Sequence, residues 1–144
     1  MNSKLKSKPQ RCRAIIFNAD KILLIKRIKH NEVYWVFPGG KVEDQESLET
    51  AVERECLEEL GLRVKAQKLF TKLLSTKPQT VNQEEFFFIC EVISGELGSG
   101  TGPEYQPDNH YEGEHRPEWL KLSEIPQLDL RPQQVRDLLL VEFN

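Results

Sequence analysis

The chain has 144 residues, of which 38% are hydrophobic and 30% charged, with a formal net charge of −3. That length suits one domain with a real core, and the composition is that of an ordinary globular protein, not a disordered one. The slight acidity supplies no general attraction to polymeric nucleic acid or to an anionic membrane, so neither is expected as a partner, whereas a small phosphorylated ligand needs only a local site.

Cys12, Cys56 and Cys90 form no Cys-x-x-Cys pair and sit among apolar neighbours. Buried, reduced thiols in a cytoplasmic protein are therefore expected, with no secretory segment ahead of them and no apolar run long enough to span a membrane. Residues 1–10, with Lys4, Lys6 and Lys8, read as a flexible tail, and residues 11–144 as a single domain.

In chain order, Arg11 to Asn18 and Lys21 to Ile28 read as a hairpin turned by Asn18-Ala19-Asp20. Val33 to Phe37 is a short strand stopped by Pro38-Gly39-Gly40. From Ser47 a helical pattern begins, with Leu48, Val52, Cys56 and Leu60 on one apolar row, Ala51 beside it and Gly61 at the C′ position. Arg63 to Leu74 and Glu84 to Ile93 read as strands. The second, with Phe86-Phe87-Phe88-Ile89, is apolar enough to be central and covered on both faces. Gly95 to Pro117 reads as a long active-site loop or lid. Its Gly98-Ser99-Gly100-Thr101-Gly102 run lacks the Gly-Lys-Ser/Thr that a phosphate loop requires, and flexible connection is the simpler account. Glu118 to Leu122 reads as a last short strand. Arg131 to Phe143 reads as a terminal helix with Val135, Leu138 and Leu139 on one side. Strands with helices between and after them indicate a layered α/β or α+β domain.

One helix breaks local rules. Glu55, Glu58 and Glu59 share a face within about one turn, where like charges cost roughly 0.2–0.5 kcal/mol per pair. They also crowd the negative end of the helix dipole, at about 0.3–1 kcal/mol each. Arg54 is one cation against three carboxylates. A solvated acidic face would explain them, but they flank the buried row and follow a glycine turn that lets backbone approach a ligand. Hard oxygens so gathered suit Mg²⁺ or Mn²⁺. No Cys/His set has zinc spacing, and His30, His110 and His115 read as structural or surface residues.

Gly40, Glu46 and then Arg54-Glu55-Cys56-Leu57-Glu58-Glu59-Leu60-Gly61-Leu62 fit the pattern Gly-x5-Glu-x7-Arg-Glu-U-x-Glu-Glu-x-Gly-U, where U is a bulky aliphatic. Over residues 40–62 the chain resembles the Nudix hydrolase family (MutT-like), and every fixed position agrees. The departure is Cys56 at a U position, which should weaken packing slightly and spare the chemistry. The resemblance implies a Nudix fold, an α/β/α sandwich around a mixed sheet. It implies metal ligation by Glu55, Glu58 and Glu59 with the Gly39 carbonyl, Arg54 holding Glu55 by an ion pair, and Glu46 supporting that arrangement. Glu46 is equally placed as a favourable N-terminal carboxylate of the helix, and the two roles are compatible. Relatives add a ligand or general base from a later loop, for which Glu114 and Glu112 are candidates and Glu104 a more distant one.

The expected function is Mg²⁺- or Mn²⁺-assisted hydrolysis of a phosphoanhydride in a nucleoside diphosphate derivative, with a nucleoside triphosphate or modified nucleotide favoured. Alternatives are an ADP-ribose or nucleotide-sugar pyrophosphatase, and a nucleotide sensor that binds without cleaving. The partner is a small nucleotide, and the protein is a monomer or homodimer. Pro78 resembles a proline of ADP-ribose-cleaving relatives, and a turn between strands explains it as well. Tyr34, Trp35, Phe86, Phe88, Tyr105 and Tyr111 are the aromatics that could stack a base, core packing being the better account of those on strands.

Overall fold

The computed structural model describes residues 9–75, 78–100 and 114–143. The strands are β1 (Gln10–Asn18), β2 (Lys21–Lys29), β3 (Glu32–Val36), β4 (Gly39–Lys41), β5 (Leu62–Leu74), β6 (Glu84–Gly95), β7 (Glu114–Lys121) and β8 (Leu130–Arg131); the helices are α1 (Leu48–Leu60) and α2 (Gln133–Phe143). Gln10, expected in the tail, is instead the first residue of β1 and pairs with Glu84.

The strands form one mixed sheet in the order β5-β6-β1-β2-β3-β8, with β4 on β1 and β7 on β2. Strands β1 and β2 pair only at Phe17–Ile22 and Asn18–Lys21 beside their turn. Beyond it they diverge: β1 runs parallel to β6 and antiparallel to β4, while β2 runs antiparallel to β3 and β7. The sheet thus splits into two halves joined at the hairpin.

Alternation along β1 and β2 assigns the two faces. Cys12, Ala14, Ile16, Leu23 and Ile25 pack with Ala51, Val52, Cys56 and Leu60 of α1. Ile15, Ile22 and Leu24 pack with Val135 and Leu139 of α2. One helix covers each face, which is the α/β/α sandwich expected. Central β6 feeds both cores, with Phe86, Phe88 and Cys90 toward α1 and Phe87 toward α2. All three cysteines are buried and free, and burial pushes the Cys12 and Cys90 thiols up to about 12.

Helix α1 starts where the sequence indicates. Ser47 accepts the Thr50 amide at 3.0 Å, and Gly61 closes the helix with its N–H on the Leu57 carbonyl. In α2 Val135 and Leu139 are buried, but Leu138 is exposed, so the apolar side is narrower than expected. Among the described residues no helix is long and apolar enough to cross a membrane.

Two expectations change. Pro38-Gly39-Gly40 does not simply stop a strand, because Gly39–Lys41 pair with Arg11–Arg13 as β4. The last strand is longer than Glu118 to Leu122. It begins at Glu114 and pairs through Ile25–Ile28, so Glu114 to Pro117 are strand and not loop. Their polar composition hides a strand held by backbone pairing to β2, and Pro117 is tolerated because β7 pairs with β2 alone among the described strands. Residues 101–113 of the expected lid lie outside the described residues.

Candidate active site

Strand β4 brings the glycine turn against the acidic face of α1. A Cβ on Gly39, whose φ is +145°, would run into the Cys12 carbonyl, so this close approach needs glycine. The Gly39 amide donates to Glu59 Oε1 at 2.9 Å. A Cβ on Gly40 would lie 2.5 Å from Glu55 Oε2 and 2.6 Å from its carboxyl carbon. Gly40 therefore leaves the space that the Glu55 carboxylate fills.

Arg54 answers the crowded charges. Its Nε and one terminal nitrogen fork onto the two oxygens of Glu46 at 2.7 and 3.1 Å, a bidentate charge-assisted pair. The same terminal nitrogen donates to the Lys41 carbonyl at 3.0 Å. The other terminal nitrogen reaches Glu55 Oε2 and Glu58 Oε1, both at 3.3 Å. One guanidinium, with donors on two sides, thus ties the loop before α1 to two of the helix carboxylates. Hydrogen bonding to Arg54 holds Glu46 below the usual carboxylate range, and Arg54 is correspondingly raised. Glu55 is pushed up, first by burial, against the Arg54 charge and with help from the charges of Glu59 and Glu58.

Glu59 is a buried carboxylate, 9% exposed, which requires partners. Besides the Gly39 amide it has His115, whose Nε2 lies 2.9 Å from Oε2. Of the structural and surface roles expected for His115 the structure favours the first: its side chain, 10% exposed, packs against the acidic cluster. The signal is the alternation of β7, in which His115 shares the α1 side with Trp119, and it becomes visible only when the strand is started at Glu114.

Glu114 is not brought to this cluster. It alternates with His115 along β7 and forms an ion pair with Arg116. Glu112, Glu104, Tyr105, Tyr111 and His110 lie outside the described residues. His30 is exposed in the β2–β3 turn, and Pro78 opens a short 3₁₀ turn over Pro78–Thr80. Trp35, Phe86 and Phe88 are core residues.

Among the described residues no three Asp, Glu, His or Cys side chains converge as a ready-made cation cage. The hard oxygens of Glu55, Glu58 and Glu59 are gathered on one helix face, with the Glu55 carboxylate in the space that Gly40 leaves. Such a set fits Mg²⁺ or Mn²⁺, which take one or two protein carboxylates and complete their shell with water and substrate phosphate. Zinc would want a closed nitrogen and sulfur set, which this is not.

A family model for the NUDIX domain matches residues 8–139. The chain belongs to the Nudix family. This Nudix chain is 43% identical over 89 residues to an ADP-ribose pyrophosphatase of Methanocaldococcus jannaschii, a match covering 60% of this chain and 52% of that protein. It is 31% identical over 102 residues to an RNA pyrophosphohydrolase of Pasteurella multocida, covering 58% and 50% respectively. The chain spans about half the length of the curated relatives it matches. The Nudix fold is shared with a MutT Nudix hydrolase from Burkholderia pseudomallei at a TM-score of 0.67 and 27% identity, covering 91% of this chain and 96% of that one.

Proposed function

We propose that this chain is a divalent-metal-dependent hydrolase that cleaves a phosphoanhydride in a nucleoside diphosphate derivative, with a nucleoside triphosphate or modified nucleotide as the favoured substrate. The observation that carries the reading is the gathering of Glu55 and Glu58 by Arg54, and of Glu59 by the Gly39 amide and His115. A fold has no stability reason to collect three carboxylates here, and a phosphate-bearing ligand with its cation supplies one.

Glu55, Glu58 and Glu59, with the Gly39 carbonyl, would hold Mg²⁺ or Mn²⁺. When bound, the ion neutralises diphosphate charge that would repel a nucleophile and stabilises charge developing on the leaving oxygen. Arg54 fixes the orientation of Glu55 and Glu58 before substrate arrives, and Glu46 fixes Arg54. His115 and the Gly39 amide hold Glu59. A water attacks one phosphorus in line, the bond from that phosphorus to the bridging oxygen breaks, and the bridging oxygen leaves on the other phosphate. The proton lost by the water passes to a carboxylate oxygen. Glu55 is suited to take it, because burial raises its proton affinity above that of an ordinary carboxylate.

The identity to an ADP-ribose pyrophosphatase supports a second reading, cleavage of ADP-ribose or a nucleotide sugar by the same residues. A nucleotide sensor without turnover is the weaker alternative, since all the carboxylates are present. The test is a panel of nucleoside triphosphates, modified nucleotides and diphosphate conjugates incubated with protein and Mg²⁺ and scored by product mass. A nucleoside monophosphate as product supports hydrolysis, and an unchanged panel overturns it.

A further inference from the structure

The chain changes partners at Phe37. Val36 is still paired with Ile25 of β2, and the Pro38 carbonyl already accepts the Ala14 amide of β1 at 2.8 Å. The Phe37 carbonyl falls between the two ladders, and Arg13 meets it there: Nη1 donates to it at 3.3 Å. Through Nε the same guanidinium donates to Glu85 Oε2 of β6 at 2.7 Å. The Arg13 and Glu85 side chains are 21% and 25% exposed, so the pair is largely shielded from the solvent that weakens surface ion pairs. The Phe37 ring is fixed as well, edge to face with Phe87 at 5.5 Å.

We propose that Arg13, oriented by Glu85, is a positioning residue for the glycine turn, holding its entry as Arg54 holds its exit. The inference rests on the hydrolase reading above for its effect on rate, and on geometry alone for its effect on the turn. Two residues after Phe37, the Gly39 amide donates to Glu59 at 2.9 Å. Two residues further on, the Lys41 carbonyl accepts Arg54 at 3.0 Å. Each end of residues 37–41 thus carries a guanidinium, and each guanidinium is held by a carboxylate, Glu85 for Arg13 and Glu46 for Arg54. Between them lies the Gly39 carbonyl that the hydrolase reading gives to the metal. Two successive glycines have no side chain to lock their own backbone, so its placement has to come from either side.

The donors that Arg13 uses speak against a plain ion pair between β1 and β6. Arg54 grips Glu46 by the side-on fork of Nε and Nη2. Arg13 instead uses Nε and Nη1, which lie on opposite edges of the guanidinium, so one group joins Glu85 to the turn. A second rival is direct contact with substrate. Arg13, Phe37 and Glu85 are among the residues lining a cleft of about 680 Å³ where the two halves of the sheet diverge. The two accounts differ in kinetics, because a lost binding contact raises KM and a displaced turn lowers kcat.

The test uses Arg13→Gln and Arg13→Lys in the full chain. Amide hydrogen exchange, followed by NMR on the metal-free protein, reads the turn itself. In Arg13→Gln the Gly39 amide is expected to lose about tenfold more protection than the amides of β2, which report global stability. Arg13→Lys keeps a donor and should restore part of that protection. With Mg²⁺ and a nucleotide that the wild type hydrolyses, kcat should fall about tenfold in Arg13→Gln while KM stays within about twofold. Protection lost evenly across the protein would make the pair a stabilising contact only, and a raised KM at constant kcat would make Arg13 a substrate contact. Either result overturns the proposal. If Arg13→Gln does not fold, Glu85→Gln carries the same comparisons, since it loosens Arg13 without removing it. If the wild type hydrolyses nothing, the hydrolase reading fails, and the exchange measurement still decides whether Arg13 holds the turn.

Discussion

His115 Nε2 stands 2.9 Å from Glu59 Oε2, joining β7 to the carboxylate of α1 that also receives the Gly39 amide. The contact leaves Glu59 little freedom to turn. His115→Phe removes it, and hydrolysis is expected to fall about 10–100-fold. His115→Gln keeps a polar atom near Glu59 and should recover part of the loss. Steady-state kinetics on both variants check this. If both lose activity equally, only in step with melting temperature, the histidine is a packing residue.

Gly40→Ala separates activity from stability. The added methyl meets the end of a flexible side chain, the Glu55 carboxylate, and not backbone. The fold should therefore lose no more than about 1 kcal/mol. Activity should fall on the order of a hundredfold, because Glu55 is displaced. Denaturant unfolding and kinetics on one preparation check the contrast.

Glu55 gives a pH-dependent stability signature. Its folded-state proton affinity is raised by burial, so the folded protein holds the proton more tightly than the unfolded chain. The penalty is absent below the ordinary carboxylate range and complete once pH exceeds the raised folded value. Glu55→Gln should therefore stabilise the protein at neutral pH, by roughly 2–5 °C in Tm, and by much less at pH 4. A gain that does not grow with pH would contradict the assignment.

Arg54→Lys keeps the charge and loses the fork. Glu46 then loses the bond that lowers its proton affinity. In the wild type the Glu46 contribution is present above the ordinary carboxylate range and lost as pH falls through its lowered value. The variant should lose stability from a higher pH and lose about 10–100-fold in activity. Acid unfolding curves and rates check both.

The residues that carry chemistry in α1 were readable because their spacing contradicts helix physics, and contradictions of that kind are local. Ser47, Gly61 and the apolar row of α1 were readable because they follow local helix rules. Strand β7 was not, since Glu114 to Pro117 have no apolar alternation and are held by backbone pairing to β2. Missing that strand left the place of His115 beside Glu59 unseen and put Glu114 in a loop, when it opens β7 and pairs with Arg116. The cleft between the diverging halves of the sheet was equally hidden, since the residues that line it, among them Arg11, Arg27, Tyr34, Glu85 and Arg131, come from β1, β2, β3, β6 and β8, and nothing within one segment marks them as neighbours.

The gathering of α1 carboxylates for a divalent ion is tested most directly by Mn²⁺ binding, followed by electron paramagnetic resonance with a nucleoside diphosphate present. Wild-type protein is expected to take up Mn²⁺, and Glu58→Gln and Glu59→Gln to weaken uptake by about tenfold or more while retaining the fold. Wild-type protein that takes up no Mn²⁺, or variants that bind it as the wild type does, would contradict the account.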